Sequence, residues 1–478
     1  MILAKSLATG HGFRYLHLPG APVAGHYPPA YPVLLAMLYR LVPQFPANVK
    51  LFLLANVALV GMAAWYTQAL ARRVLGWSTA AAAAAALVAT ATFPMLLLSG
   101  LVLSETLFIA SLLPLLLAAE RFVSDPDATA SRSGVNAVLL GVGFGLLGLV
   151  RTHGLALALA AALVLARRRR WRDAALCVGA SAIVLAPWVL WVHAHGTMPW
   201  SGLEGSYGSY IGWFADGVRA TGLHGVMSTV VTNTREFAEL LADRWSVSDA
   251  ALARHGCALL VAVALGAGVW RMARHATVTA AFIAIYMVVT LIWPFTPWRF
   301  IYAVWPIIVL CLGAAAQWGA SVRPRAARAG ALAATALVAV GMVRAEARSY
   351  ATRAWRIGTD DAIATIAPLV RWVAAHTDSS DVVAVDGEQL VYLFTGRTAV
   401  PIVPFTAAEY VVPRTTRTNA AAIAPLLRAT SVDYLVTISP GLRDAAGLLV
   451  RQDTTSGAPG LTPMEAVGAG GAFRVQRP

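Results

Sequence analysis

No Asp or Glu occurs before Glu105, only two lysines (Lys5 and Lys50) are present, and cysteine appears just three times in 478 residues. Charged residues make up 13% of the chain, about half the roughly 25% of an ordinary soluble domain. A typical cytosolic enzyme is thereby excluded. Disorder is excluded too, because 58% of the residues are hydrophobic. Cys177, Cys257 and Cys311 each sit in an apolar run, so neither a disulfide framework nor a zinc motif is encoded. There is no P-loop, no glycine fingerprint in a strand-to-helix context and no metal-ligand spacing, which leaves ATP-driven chemistry without support. No signal peptide is present. No internal repeat is visible, so an inverted-repeat transporter has little support.

What the chain does have is long apolar runs and arginine. Mean hydropathy is +0.66. Thirty-five arginines stand against the two lysines, and with the abundant alanine and glycine they point to a GC-rich bacterial genome. A formal net charge of +14 first invites a nucleic-acid reading, but that reading needs a basic face on a soluble fold. Residues 345–478 hold 12 Arg and 12 acids, so the whole excess lies in residues 1–344, the hydrophobic part. A membrane span needs about 20 apolar residues. Runs near that length lie at 49–71, 79–99, 101–119, 134–150, 153–166, 173–195, 256–271, 277–295, 300–319 and 326–344, predicting about ten spans.

Arginine sets the orientation, because short cytoplasmic loops collect it. One set of alternate loops holds fourteen, among them Arg72, Arg121, Arg132, the run Arg167–Arg170 with Arg172, Arg274 and Arg325. That set is cytoplasmic and meets membrane lipid. Outer loops 1–48 and 196–255 and the tail 345–478 then lie outside. Residues 1–26 are too polar to span, so their outer placement predicts a further helix upstream of Met1, the alternative being a short N-terminus that crosses unaided. Tyr27-Pro28-Pro29-Ala30-Tyr31-Pro32 opens a short apolar helix, with proline in its first turn. It reads as interfacial or re-entrant. Residues 134–166 would make one helix of ~50 Å, too long for a ~30 Å bilayer. Two helices meeting at Arg151-Thr152-His153-Gly154 fit better. The tail, taken as a separate domain over 345–478, alternates helices (359–376, 387–395, 419–430) with strands (381–386, 398–403, 432–438), the pattern of a small extracytoplasmic α/β domain.

The few ionisable residues near the outer ends of spans are the functional candidates. Glu105 could act as a base, or be a helix-start acid favoured by the macrodipole. Arg151 and Arg299 break the charge rule by lying on outer short loops. A guanidinium there suits phosphate, or snorkels to the interface. His26, Tyr27 and Tyr31 could bind a sugar or a polar head group, or anchor the interface. His153 reads as structural, and Trp293 and Trp298 as an aromatic belt.

These segments resemble a family in their order and topology. Ala4-x-x-Leu7-x-x-Gly10-x-Gly12-Phe13, followed by Tyr27-Pro28-Pro29-x-Tyr31-Pro32-x-Leu34-Leu35, resembles the first outer loop of GT-C glycosyltransferases, closest to the protein O-mannosyltransferase and aminoarabinose transferase type (family 39-like). Asn56 with Ala71-Arg72-Arg73-x-x-Gly76, Leu103-Ser104-Glu105-x-Leu107, Gly148-Leu149-x-Arg151 and Trp298-Arg299-Phe300 with Pro306 follow in the family's order. The resemblance covers most of residues 1–320. It implies an α-helical polytopic membrane protein of the GT-C type in a bacterial plasma membrane, with a small C-terminal α/β domain. It implies transfer of a sugar from a polyprenyl-phosphate donor to an acceptor hydroxyl on a glycan, lipid or protein, with inversion. Glu105 would be the catalytic acid near the acceptor, Arg151 and Arg299 would hold donor phosphate, and His26, Tyr27 and Tyr31 would line the substrate. No nucleic acid is implied, and a divalent metal is left open. The family's catalytic Asp precedes the Ala-x-x-Leu-x-x-Gly motif, and this sequence holds no acid there. The sequence thus predicts either an earlier start or a non-catalytic relative acting in envelope polysaccharide assembly. A transporter is the remaining alternative.

Overall fold

The computed structural model describes residues 1–125, 130–450 and 460–476, with no side-chain account of Arg132. Helix α1 (Ile2–Ala8) packs on α2 (Ala30–Leu41), so the N-terminal segment is not purely a loop as expected. Then come α3 (Ala47–Arg73), α4 (Thr79–Thr90), α5 (Phe93–Ser99), α6 (Glu105–Ser124), α7 (Ala130–Val150), α8 (Leu155–Arg167) and α9 (Trp171–His195). Beyond α10 (Glu204–Tyr207) runs α11 (Tyr210–Trp245), bent where Gly222 takes a left-handed φ of 62°. Most of the expected outer loop 196–255 is therefore helical. The sequence pattern is helical over 233–245, and mixed polar and apolar residues hide the rest of α11. The helical layer closes with α12 (Ala251–Met272), α13 (Thr277–Ile292), α14 (Trp298–Tyr302), α15 (Trp305–Ala320) and α16 (Arg325–Thr352).

Each predicted apolar run is helical, with 79–99 divided between α4 and α5 and 300–319 between α14 and α15. Among the described residues, α3, α6, α7, α9, α12 and α16 are each long and apolar enough to cross a membrane, and the bent pair α4/α5 is either a broken seventh span or a re-entrant loop. Helices α8, α13 and α15 are apolar but shorter. Helix α6 is the most enclosed, with Phe108, Leu112, Leu113 and Leu116 all buried. The outward faces carry bare apolar side chains such as Leu54, Trp65, Ile183, Leu190, Leu259 and Val343. Apolar surface on that scale belongs against lipid, and the chain is a multi-pass membrane protein.

Two local devices set the helix packing. Gly141 and Gly145, four residues apart on α7, let α9 approach closely, in the small-residue spacing common between membrane helices. A Cβ at Gly141 would lie 2.3 Å from the Cys177 carbonyl oxygen, whereas one at Gly179 would meet nothing within 4 Å. Gly141→Ala is expected to lower stability by about 1–3 kcal/mol through overpacking, and Gly179→Ala to leave it unchanged. Thermal melting of the purified variants checks this. The second device is the break after Val150. A 3-10 turn at Thr152–Gly154 reverses the chain, and Gly154 sits where a Cβ would be 2.9 Å from the Leu147 carbonyl oxygen. The apolar stretch 134–166 is thus two helices hinged at Arg151, as its length predicted.

Helix α16 runs through position 344 to Thr352, where Arg353 turns left-handed (φ 51°) into α17 (Ala354–His376). A five-stranded sheet follows, built from β1 (Val382–Val385), β2 (Thr398–Pro401), β3 (Tyr434–Thr437), β4 (Gly460–Pro463) and β5 (Gly471–Gln476) in the order β2-β1-β3-β5-β4. Strands β1, β2 and β3 are parallel, and β5 runs antiparallel to β3 and β4. Helices α18 (Glu388–Thr395), α19 (Thr416–Ala429) and α20 (Pro440–Val450) connect them. The predicted helices and strands of the tail are all present, and α20, β4 and β5 are additional.

Strand alternation gives the sheet two buried faces. Val383 and Val385 join Leu369, Trp372 and Val373 of α17. Ala384, Val400 and Leu435 join Ile423 and Leu426 of α19. That second face continues into Tyr15, Leu18 and Ala24 near the N-terminus and Tyr207 of α10. The His17 carbonyl accepts the Ala399 N–H at 2.7 Å. The tail domain is therefore docked on the N-terminal segment and α10 by shared core and a backbone bond.

Candidate active site

A cavity of about 360 Å3 opens where α2, the α7–α8 hinge, α14 and the C-terminal domain meet. The hinge delivers Arg151, and the short α14 delivers Arg299 from the opposite side. Between them stands Glu105, the first residue of α6 and fully buried. Its Oε1 accepts from Arg151 Nη1 at 2.7 Å and from Arg299 Nη2 at 2.8 Å and Nε at 2.9 Å. Arg151 Nη1 also reaches Ser104 Oγ at 3.3 Å, and its guanidinium lies over the Phe300 ring at 5.3 Å. Asn56 on α3 fixes this corner by donating to the Leu101 carbonyl (2.7 Å) and accepting from Thr106 Oγ1 (2.8 Å).

Both arginines line the cavity, and Glu105 does not. Its carboxylate stands behind them as their shared counter-ion. Among the lining residues there is no Asp or Glu. Two guanidiniums and one carboxylate leave a net charge of +1 beside the cavity.

His26, Tyr27 and Tyr31 all line it as well. His26 Nδ1–H donates to the Gly208 carbonyl at 2.7 Å, and its ring lies 3.7 Å from that of Tyr210. Burial pushes its pKa down to about 4, the Gly208 bond opposing, so the ring is neutral near pH 7. Tyr27, 39% exposed, packs edge-on against His26. The Tyr31 hydroxyl is buried, with the Asn56 side chain beside it. His153 also lines the wall, with its ring 4.6 Å from that of Phe300. Trp293, expected in an interfacial belt, faces the cavity beside Tyr210 and Trp213, whereas Trp298 lines a neighbouring groove.

Solved structures share this architecture. The chain is similar to ArnT from Cupriavidus metallidurans bound to undecaprenyl phosphate, with a TM-score of 0.52 and 14% identity over 99% of this chain and 92% of that one. The apo form of the same protein gives 0.53 and 14% over 99% and 91%. An oligosaccharyltransferase from Archaeoglobus fulgidus, in complex with Zn and sulfate, gives 0.50 and 14% over 99% and 68%. The chain has the GT-C glycosyltransferase fold. At these identities the GT-C likeness concerns the fold alone. No family model and no curated protein matches the sequence.

A divalent metal, which the resemblance left open, does not fit this GT-C cavity. Two guanidiniums and no carboxylate line it, and among the described residues no three His, Cys, Asp or Glu side chains gather to hold a cation. Several lining residues escaped the sequence reading: Tyr15, His17, Tyr210, Gln389 and Phe405. Clustered Gly, Ser and aromatic residues between 196 and 213 were the available signal for Tyr210. Gln389 and Phe405 carried none, because they arrive from the C-terminal domain.

Proposed function

We propose that this chain is a membrane glycosyltransferase that moves a sugar from a polyprenyl-phosphate donor to an acceptor hydroxyl, on the extracytoplasmic face of a bacterial plasma membrane. The supporting observation is the pair of arginines held by one buried glutamate at the wall of an aromatic cavity. Their net charge of +1 matches the single negative charge of a polyprenyl-phosphate sugar. As the sugar–oxygen bond breaks, charge grows on the phosphate, and guanidiniums fixed in advance stabilise that growth most. In this reading Arg151 and Arg299 hold the phosphate, and Glu105 is a positioning residue that orients both. A carboxylate accepting from two guanidiniums is a poor base. Tyr27, Tyr31 and His26 would face the sugar, since aromatic rings and neutral polar groups suit a polyol. Val102, Leu103 and Leu35 would take the first isoprene units. Residues 345–478 would be the extracytoplasmic domain that roofs the site.

The absence of a lining carboxylate favours a second reading, a non-catalytic GT-C relative that binds the same lipid. One experiment separates the two. The full chain, purified in detergent, is titrated with undecaprenyl phosphate and with undecaprenol, and is then given a panel of undecaprenyl-phosphate hexoses and pentoses. Saturable binding of the phosphate but not the alcohol, with release of sugar, is the expected result. Binding without release would select the non-catalytic reading. Equal affinity for the alcohol would overturn both.

A further inference from the structure

The C-terminal domain reaches the cavity at one polar point. Strand β1 ends at Asp386-Gly387, Gly387 takes a left-handed φ of 69°, and α18 begins at Glu388. Asp386 Oδ2 accepts from Thr437 Oγ1 (2.6 Å) and the Ile438 N–H (2.9 Å), tying together the carboxyl ends of β1 and β3. The chain leaves β1 for β2 on one side while β3 lies on the other. This is the crevice at which open α/β sheets place functional groups. From it Glu388 accepts a hydrogen bond from the Tyr207 hydroxyl, and Gln389 Nε2 donates to the same oxygen at 3.3 Å. On the other side of Tyr207, 2.8 Å away, is His17 Nε2.

A phenol has one proton, and here it goes to the Glu388 carboxylate. The Tyr207 oxygen must then accept from His17, so His17 carries its proton on Nε2. Nδ1 is left with a bare lone pair. That atom is buried and has no hydrogen-bond partner among the described residues, and His17 is a wall residue of the cavity. A histidine kept only for structure commonly has both nitrogens satisfied.

Resting on the glycosyltransferase reading, we propose that His17, Tyr207 and Glu388 form a proton relay that takes the acceptor hydroxyl's proton at His17 Nδ1 and delivers it to Glu388. The acceptor O–H bond breaks and Nδ1–H forms. The Nε2 proton moves to the Tyr207 oxygen, and the Tyr207 proton moves to Glu388 Oε1. The acceptor's electron pair makes the new bond to the anomeric carbon. The old bond's pair departs with the phosphate toward Arg151 and Arg299. No imidazolium is formed, since the ring only exchanges tautomers. Burial favours this outcome at both ends: it pushes His17 down to about 3, against carrying a charge, and pushes Glu388 up, towards holding a proton. Around the relay stand Tyr15, Tyr27, Tyr392 with Lys5 over its ring, Asp386 and the Met1 amino group. The relay supplies a proton acceptor in place of the carboxylate that the lining lacks.

Nitrogen NMR of the full chain, labelled at histidine, tests the proposal without needing a substrate. His17→Asn assigns the signal. The wild type is expected to show a bare Nδ1 at about pH 8 and, on acidification to about pH 5, to exchange to a bare Nε2 without becoming imidazolium. Glu388→Gln and Tyr207→Phe keep the packing and are expected to show no exchange. An imidazolium in the wild type, or the same exchange in Glu388→Gln, would overturn the relay. In the undecaprenyl-phosphate sugar panel, Glu388→Gln is expected to lower kcat by at least about 100-fold, as for loss of a general base. KM and undecaprenyl phosphate affinity should stay unchanged. A wild-type kcat in Glu388→Gln would also overturn the relay. Failure of the wild type to bind undecaprenyl phosphate would instead remove the underlying reading, leaving the tautomer exchange to be decided by NMR alone.

Discussion

Replacing Arg151 and Arg299 together by alanine is expected to weaken undecaprenyl phosphate binding by about 10²–10⁴-fold. A hydrogen bond between charged groups contributes about 1.5–3 kcal/mol, and two such donors are lost. The sign of the local charge also reverses. With both guanidiniums gone, Glu105 is left buried without a counter-ion, and the site repels the phosphate it should hold. Each single variant leaves one ion pair on Glu105 and is expected to bind more strongly than the double variant. Destabilisation by the orphaned carboxylate is separated from lost binding by a third variant, Glu105→Ala with both arginine substitutions. It restores neutrality and should regain thermal stability but not affinity. Titration with undecaprenyl phosphate and thermal melting decide the matter. Wild-type affinity in the double variant would remove the arginines from the phosphate site.

Glu105→Ala alone is expected to be the most destabilising substitution in the site. Removing one partner of a buried ion pair costs about 3–5 kcal/mol, because the remaining charge is left uncompensated. Here two arginines would be left facing each other across the vacated carboxylate. An anion can take its place. Undecaprenyl phosphate is therefore expected to raise the melting temperature of Glu105→Ala by more than it raises that of the wild type, since the phosphate becomes the missing counter-ion. Glu105→Gln, which keeps an acceptor oxygen but not the charge, should fall between the two. If Glu105→Ala melts with the wild type, the cluster is not what holds α6, the α7–α8 hinge and α14 together at this corner.

The ion cluster shows how far the sequence could be read. Arg151 and Arg299 stand out in the linear chain, because they fall in the alternate set of short loops where arginine is scarce. Glu105 stands out as the first acid of the chain. Nothing in the linear order says that one carboxylate oxygen serves both cations, since that contact exists only after three helix ends converge. His17 is further from legibility. Its partners lie 190 residues away in α10 and beyond that in the C-terminal domain, and a lone histidine before a proline-glycine turn carries no signal. In the tail, Val-rich β1 and the aromatic and β-branched β3 are readable by composition. Strands β4 and β5 are not, because Gly460–Pro463 and Gly471–Gln476 mix glycine, proline and polar residues. Their strand character comes from pairing, β5 with β3 and β4 with β5. Helix α20 does carry a readable pattern, with Pro440 in its first turn and Leu442, Ala445, Ala446 and Leu449 on one face.

By itself the sequence determined where the apolar helices lie, which loops collect arginine, where the long run breaks and where the soluble domain alternates helix with strand. These are local properties. Hydrophobic runs, charge asymmetry and period-two patterning act over ten to twenty neighbouring residues. The tertiary structure alone decided that Glu105 stands behind the two arginines rather than in the cavity, that the helix over 233–245 reaches back to Tyr210, and that the C-terminal domain brings Glu388 to His17 through Tyr207. Each depends on groups far apart in the chain becoming neighbours, and burial then fixes their charges and proton positions through contacts that no single segment encodes.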